Sequence, residues 1–133
     1  PRARFVYLRR RPIDSIRSLV QVKQRLAHLV GLQEPPSSLQ QVEETAAAHH
    51  QLQEAFARSR HLIPKGQLVE VAYTDLVQSP LITLQRIYSA LEISGWDKAR
   101  DAIAARIAKG TAYQAEPVVL DPEAEQRLQA LLS

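Results

Sequence analysis

Three consecutive arginines, Arg9, Arg10 and Arg11, follow the apolar run "RFVYL" (residues 4–8), and a hydroxyl, Ser18, lies eight positions after Arg10. Pro12 stands between them and reopens the chain with apolar residues at helical spacing. A guanidinium leaving a strand end and a hydroxyl early in the next helix can close on one phosphate or sulfate. The guanidinium gives a charge-assisted fork and the hydroxyl a further donor. Open α/β sheets bind ligands beyond the carboxyl ends of their strands, where helix N-termini present free backbone N–H groups to anions. Asp14, at the third helical position, complements the helix dipole and can orient an arginine. The same basic cluster would also suit a solvated face or nucleic-acid phosphates.

The elements that must position these residues come from a chain of 133 residues that is 45% apolar, one domain or part of one. A complete domain of that size buries roughly 70% of the surface its unfolded chain exposes. The net charge of +3 is uneven: residues 1–66 carry +6 and residues 67–133 carry −3, with eight basic residues and only Asp14 as an acid in residues 1–25. Cysteine is absent, which removes disulfides and thiolate metal sites and makes a reducing cytoplasm the expected setting. The four histidines, His28, His49, His50 and His61, show no metal-ligand spacing with carboxylates, so no metal is expected. No apolar run approaches the ~20 residues that span a bilayer, and no signal-peptide pattern precedes the first strand-like segment.

Residues 4–8 are β-branched and aromatic and end at charge, the pattern of a buried strand. Pro12 suits the first position of a helix with the apolar stripe Ile13, Ile16, Leu19, Val20, Leu26, Leu29 and Val30, which Gly31 ends. Ser38 and Gln41 form a capping-box pattern for a second helix with Leu39, Val42, Ala46, Leu52 and Phe56 on its buried side. "PKG" (64–66) precedes a second strand over residues 67–73, nearly continuous in apolar residues as in a strand covered on both faces. Ser79-Pro80 starts a third helix with Leu81, Leu84, Ile87, Tyr88 and Leu91 on one face. Asp97 caps a fourth that Gly110 closes, and Asp121-Pro122 starts a last one carrying Leu128, Leu131 and Leu132. The expected class is therefore α/β and helix-rich, with two strands and about five helices.

Two strands joined by a helical crossover must be parallel, and parallel sheets are almost always larger. Residues 1–133 are thus expected to be the C-terminal part of a single larger α/β domain, or to meet a partner that supplies strands.

The pattern Arg10-x-Pro12-x-Asp14-x-x-x-Ser18 after an apolar strand resembles the 3′-phosphate-binding segment of sulfotransferases that use 3′-phosphoadenosine 5′-phosphosulfate (PAPS). "VEVAYTDLVQSPLITLQRIYSAL" resembles that family's strand, Tyr-Glu-Asp-Leu, proline and amphipathic helix, with Thr74 where the glutamate is usual. Arg11 likewise replaces the usual Asp or Asn before the proline. The resemblance implies a partial P-loop-like parallel sheet flanked by helices, with Arg10 and Ser18 on the 3′-phosphate and Tyr73 near the adenine. Lys109-Gly110 is similar to the Lys-Gly that grips the same phosphate in cytosolic sulfotransferases, and reads equally as a helix end. It implies PAPS as co-substrate, a hydroxyl or amine acceptor, and catalytic groups outside the matched segments. The family's phosphosulfate loop is not found in residues 1–133, which carry no Gly-rich phosphate loop, so this segment alone is expected to be inactive.

A nucleic-acid or phosphate-binding module without catalysis is the alternative reading, and a P-loop kinase-like relative a third. Against the former, aromatics make up only 5% of the chain, do not alternate with the basic residues, and form no nucleic-acid-binding signature.

Overall fold

A computed structural model describes residues 3–31, 34, 36–110 and 118–133, apart from the side chain of His28. The described residues fall into two compact units, one drawn from residues 1–10 and 61–115 and the other from 11–60 and 116–133.

In the first unit β1 (Phe5–Arg9) and β2 (Leu68–Ala72) form a parallel pair in the register Phe5 with Leu68 through Arg9 with Ala72. Parallel pairing is as expected, and among the described residues the sheet has two strands. Arg9 extends β1 by one residue, because ladder bonds run through the backbone and tolerate a charged side chain at a strand end. β1 departs from the expected buried strand: Val6 is 49% and Leu8 44% exposed. On β2 Val71 is fully buried, packed with Ile87 and Leu91 and flanked by Val69, Leu84 and Ile93.

The sequence reading placed no helix between β2 and Ser79, yet α3 (Tyr73–Gln78) lies there. Six residues are too few to show an amphipathic period. The Asp75 carbonyl ties α3 to the next helix by accepting from the Ser79 N–H and the Thr83 hydroxyl, both at 2.9 Å. α4 (Pro80–Ala90) starts at the expected proline, but the Ser79 side chain makes no capping bond. α5 (Trp96–Lys109) begins one residue before the expected cap: Gly95, at φ +89°, is the N-cap and Asp97 lies in the first turn. Trp96 meets Tyr88 edge to face at 5.2 Å.

α4 ends in paired return bonds, Ile93 N–H to the Tyr88 carbonyl at 2.8 Å and Glu92 N–H to the Ser89 carbonyl at 3.1 Å. This closure needs a left-handed residue between helix and exit, a place usually held by glycine. Here it is Glu92, at φ +50°, whose carbonyl accepts from Arg4 at 3.2 Å.

The second unit packs α1 (Pro12–Val30), α2 (Ser38–Ser59) and α6 (Pro122–Leu132) around Ile16, Val20, Val42, Ala46, Leu120, Ala124 and Leu128. The long stripe expected on α1 splits. Ile16 and Val20 are buried, while Leu19, Leu26, Leu29 and Val30 are exposed. At about 100° per residue, Leu19, Val22, Leu26 and Leu29 form a second stripe more than a quarter turn away. The α2 cap lies one residue earlier than expected: Ser37 accepts from the Gln40 N–H, and Ser38 accepts from Gln24 at 2.6 Å. The buried side of α2 is partly polar, Gln41 and Thr45 beside Val42 and Ala46, with Lys23 donating to Thr45 at 2.9 Å. Leu52, expected inside, is 71% exposed. Asp121 caps α6 as expected by accepting from the Ala124 N–H at 2.9 Å, but Leu131 and Leu132 remain exposed.

α6 is joined to α1 by a two-bond fork, in which Arg17 donates through Nε to Glu125 Oε2 at 2.9 Å and through Nη2 to Oε1. The fork holds the Glu125 carboxyl below its ordinary range, and the Ala124 N–H does the same for Asp121.

Two measurements follow from this packing. Glu92→Gly should raise stability by about 0.5–1 kcal/mol, seen as a rise of a few degrees in thermal midpoint, because glycine adopts a left-handed backbone without steric cost. Carboxyls depressed in the folded state contribute stability that is full above their unfolded pKa and is lost as pH falls through the folded one. Denaturant midpoints should therefore fall on acidification below the ordinary carboxylate range. Glu125→Gln should be less stable at neutral pH and lose less on acidification; an equal acid loss in both proteins would rule out this contribution.

Candidate functional site

The parallel register determines what lies at the carboxyl ends of the strands. Arg9 and Ala72 are the last pair, so Arg10 and Tyr73 are the residues that directly follow the two neighbouring strands. The Arg10 guanidinium carbon lies over the Tyr73 ring, 4.9 Å from its centroid, within cation–π range. Two residues singled out separately in the sequence are thus brought together within one unit. Arg10 is exposed and Tyr73 half-buried at the first position of α3.

Arg9 is placed differently. Parallel partners point to the same side of a sheet and alternate along it, so Tyr7, Arg9, Glu70 and Ala72 share one face. Arg9 Nε lies 3.6 Å from Glu70 Oε2. Sequence reading missed this pair. The alternation rule would have put both on one face only once the register was known.

Arg11 belongs to the second unit and is the residue before α1. Its guanidinium forks onto Asp14, Nε to Oδ2 at 2.7 Å and Nη2 to Oδ1 at 3.1 Å. The fork raises the Arg11 pKa. Asp14 therefore does orient an arginine, and it also stands in the first turn of α1, where its charge complements the helix dipole. Each outer member of the triplet thus has a carboxylate. Among the described residues, no ion pair or hydrogen bond joins Arg10 to a carboxylate; its contact is with an aromatic face.

Ser18 lies within α1, half-buried, and among the described residues its hydroxyl makes no side-chain hydrogen bond. Lys109 and Gly110 form the end of α5. The Gly110 N–H donates to the Arg106 and Ile107 carbonyls at 3.0 and 3.2 Å, and its φ of −67° is open to any residue. Lys109 is exposed in the last turn, where a cation complements the helix dipole. Among the described residues, no hydrogen bond or ring contact joins Lys109 or Gly110 to Arg10 or Tyr73.

His50 has a carboxylate neighbour on α2, its Nε2 lying 3.3 Å from Glu54. His49 is half-buried and lines a cavity of about 430 Å³ in the second unit, with Pro12, Ala46, Ala47, Leu131 and Leu132 among its walls. Glu43, also on that cavity, is bound by Arg127 at 2.7 Å. Among the described residues no three His, Asp or Glu side chains are grouped to hold a metal, and no helix is long and apolar enough to cross a membrane.

The Arg10–Tyr73 pair has the chemistry of an anion contact. Within the first unit it offers a guanidinium at a strand end with an aromatic face beneath it. Comparison with known proteins bears on which anion. The model of the Sulfotransferase family matches residues 1–98, the stretch that contains β1, α1, α2, β2, α3 and α4. No curated protein and no solved structure matches significantly.

Proposed function

The chain belongs to the sulfotransferase family, and from that membership we propose that it serves the transfer of a sulfuryl group from PAPS to a hydroxyl or amine acceptor, holding the adenosine 3′-phosphate with Arg10 and Ser18. The observation that carries this reading is the sorting of the arginines. Arg9 and Arg11 have carboxylate partners, while Arg10 lies on the Tyr73 ring, its donors available to an incoming anion. A nucleotide suits that pair, since a guanidinium matches a phosphate and an aromatic ring suits a base. When bound, PAPS supplies the sulfuryl group and leaves as adenosine 3′,5′-bisphosphate.

In this proposal Arg10 donates to phosphate oxygens from the strand end, and Ser18 donates its hydroxyl proton to the same group. Tyr73 offers its ring to the nucleotide and keeps the Arg10 guanidinium from swinging into water. These are binding and orienting tasks. They act at the 3′-phosphate, away from the transferring group, so their loss should weaken nucleotide affinity first. Lys109 and Gly110 stay in the proposal through the family resemblance alone. The phosphosulfate loop, the catalytic acid or base and the acceptor pocket are assigned to groups outside residues 1–133 or on a partner chain, in a reducing cytoplasm as the lack of cysteine suggests.

A nucleic-acid-binding module would draw on several free arginines and on aromatics set among them, and the pairing of Arg9 and Arg11 speaks against it.

Calorimetric titration with adenosine 3′,5′-bisphosphate tests the assignment. Arg10→Ala should lose on the order of 1.5–3 kcal/mol, roughly ten- to a hundredfold in affinity, and Arg9→Ala far less. Equal small losses at both positions would mean that no phosphate binds at Arg10. Ser18→Ala should cost roughly 1–3 kcal/mol toward the bisphosphate, because the bond is to a charged acceptor, while leaving affinity for adenosine 5′-monophosphate nearly constant. A parallel drop for both nucleotides would remove Ser18 from the phosphate site.

A further inference from the structure

We infer that Glu70 and Asp14 are specificity determinants, which by pairing Arg9 and Arg11 reduce a run of three guanidiniums to one available charge and so favour a small phosphate- or sulfate-bearing molecule over a polyanion. The inference rests on the proposed phosphate role of Arg10. It adds a role for two carboxylates that touch no ligand themselves and act through the arginines they hold.

Three adjacent arginines would ordinarily form a strong polyanion contact, because each phosphate neutralised releases a counterion. Here the carboxylates are the anchored members of their pairs. The Glu70 side chain is 23% exposed against 63% for Arg9, and that of Asp14 is 27% against 75% for Arg11. Glu70 is fixed by the β2 ladder and Asp14 by the first turn of α1. An approaching polyanion can pull the arginine ends outward, but the two negative charges stay behind. A single phosphate at Arg10 meets neither carboxylate as a required competitor, whereas a phosphate seated on Arg9 must displace Glu70 and one seated on Arg11 must displace Asp14.

The probe is a 20-residue oligodeoxythymidylate, its binding followed by fluorescence anisotropy between 50 and 200 mM KCl. Single-strand binding has a log–log salt slope of about −0.7 per phosphate neutralised. Glu70→Gln and Asp14→Asn should each steepen the slope by about 0.7, raising the ratio of affinities at 50 and 200 mM by about 2.6-fold, and the double variant by about sevenfold. Arg9→Gln combined with Glu70→Gln should return to the wild-type slope, since the released charge is then gone. Circular dichroism of each variant checks that the fold is intact. Unchanged slopes in a folded double variant, or a steepened slope that persists in Arg9→Gln/Glu70→Gln, would overturn the inference. Its failure is separable from that of the phosphate reading. If Arg10→Ala weakens bisphosphate binding while the double variant keeps the wild-type slope, charge sorting alone is overturned. If the slope steepens while Arg10→Ala leaves bisphosphate affinity unmoved, the sorting is upheld and the small-phosphate ligand is overturned.

Discussion

The backbone ladder between β1 and β2 is the constraint on which the candidate site depends. Five parallel pairs end at Arg9 and Ala72 and set Arg10 next to Tyr73. A register slipped by one residue would turn every side chain of β1 to the other face, since the side-chain period of a strand is two. Arg9 would then lose Glu70 and Val6 would exchange sides with its neighbours. On β2, Val71 packs with Ile87 and Leu91, which fixes the face that this strand buries.

Charge is organised on the same principle in both units, with an arginine fork or pair on a carboxylate whose backbone is already held. Arg17 on Glu125 joins α1 to α6, Arg11 on Asp14 closes the start of α1, and Arg9 on Glu70 crosses the sheet. Such pairs add little stability where they are exposed. Their larger effect is to decide where free positive charge remains. In a segment with eight basic residues in its first 25, Arg9 and Arg11 are paired in this way and Arg10 lies on an aromatic face.

α1 serves two purposes on different faces. Ile16 and Val20 bury it against α2 and α6, while its first turns carry Asp14 and Ser18. Proline at its first position suits this arrangement, since it fixes the backbone direction just after the arginines without costing a helical hydrogen bond. A hydroxyl on a helix is held more rigidly than one on a loop, because the helix is kept in place by core contacts elsewhere along its length.

Local sequence determined the elements whose signals act over a few residues. The β-branched run before the arginines, Pro12, the Asp121-Pro122 start and the apolar continuity of residues 68–72 each correspond to an observed element. The Arg10 to Ser18 spacing together with the strand before Tyr73 was enough to indicate the family to which residues 1–98 belong. Caps were legible only to within one or two residues, as at Ser37 and Gly95, because several neighbours could each cap and the packed position of the helix selects one. The short helix α3 was invisible, being too brief for a period and held by Asp75 carbonyl bonds to residues beyond it. Which half of the α1 stripe is buried, the contact of Arg10 with Tyr73 and the pairing of Arg9 with Glu70 were decided by tertiary structure alone. These contacts join residues distant in sequence, and their geometry is set by sheet register and core packing, which no local pattern of residues encodes.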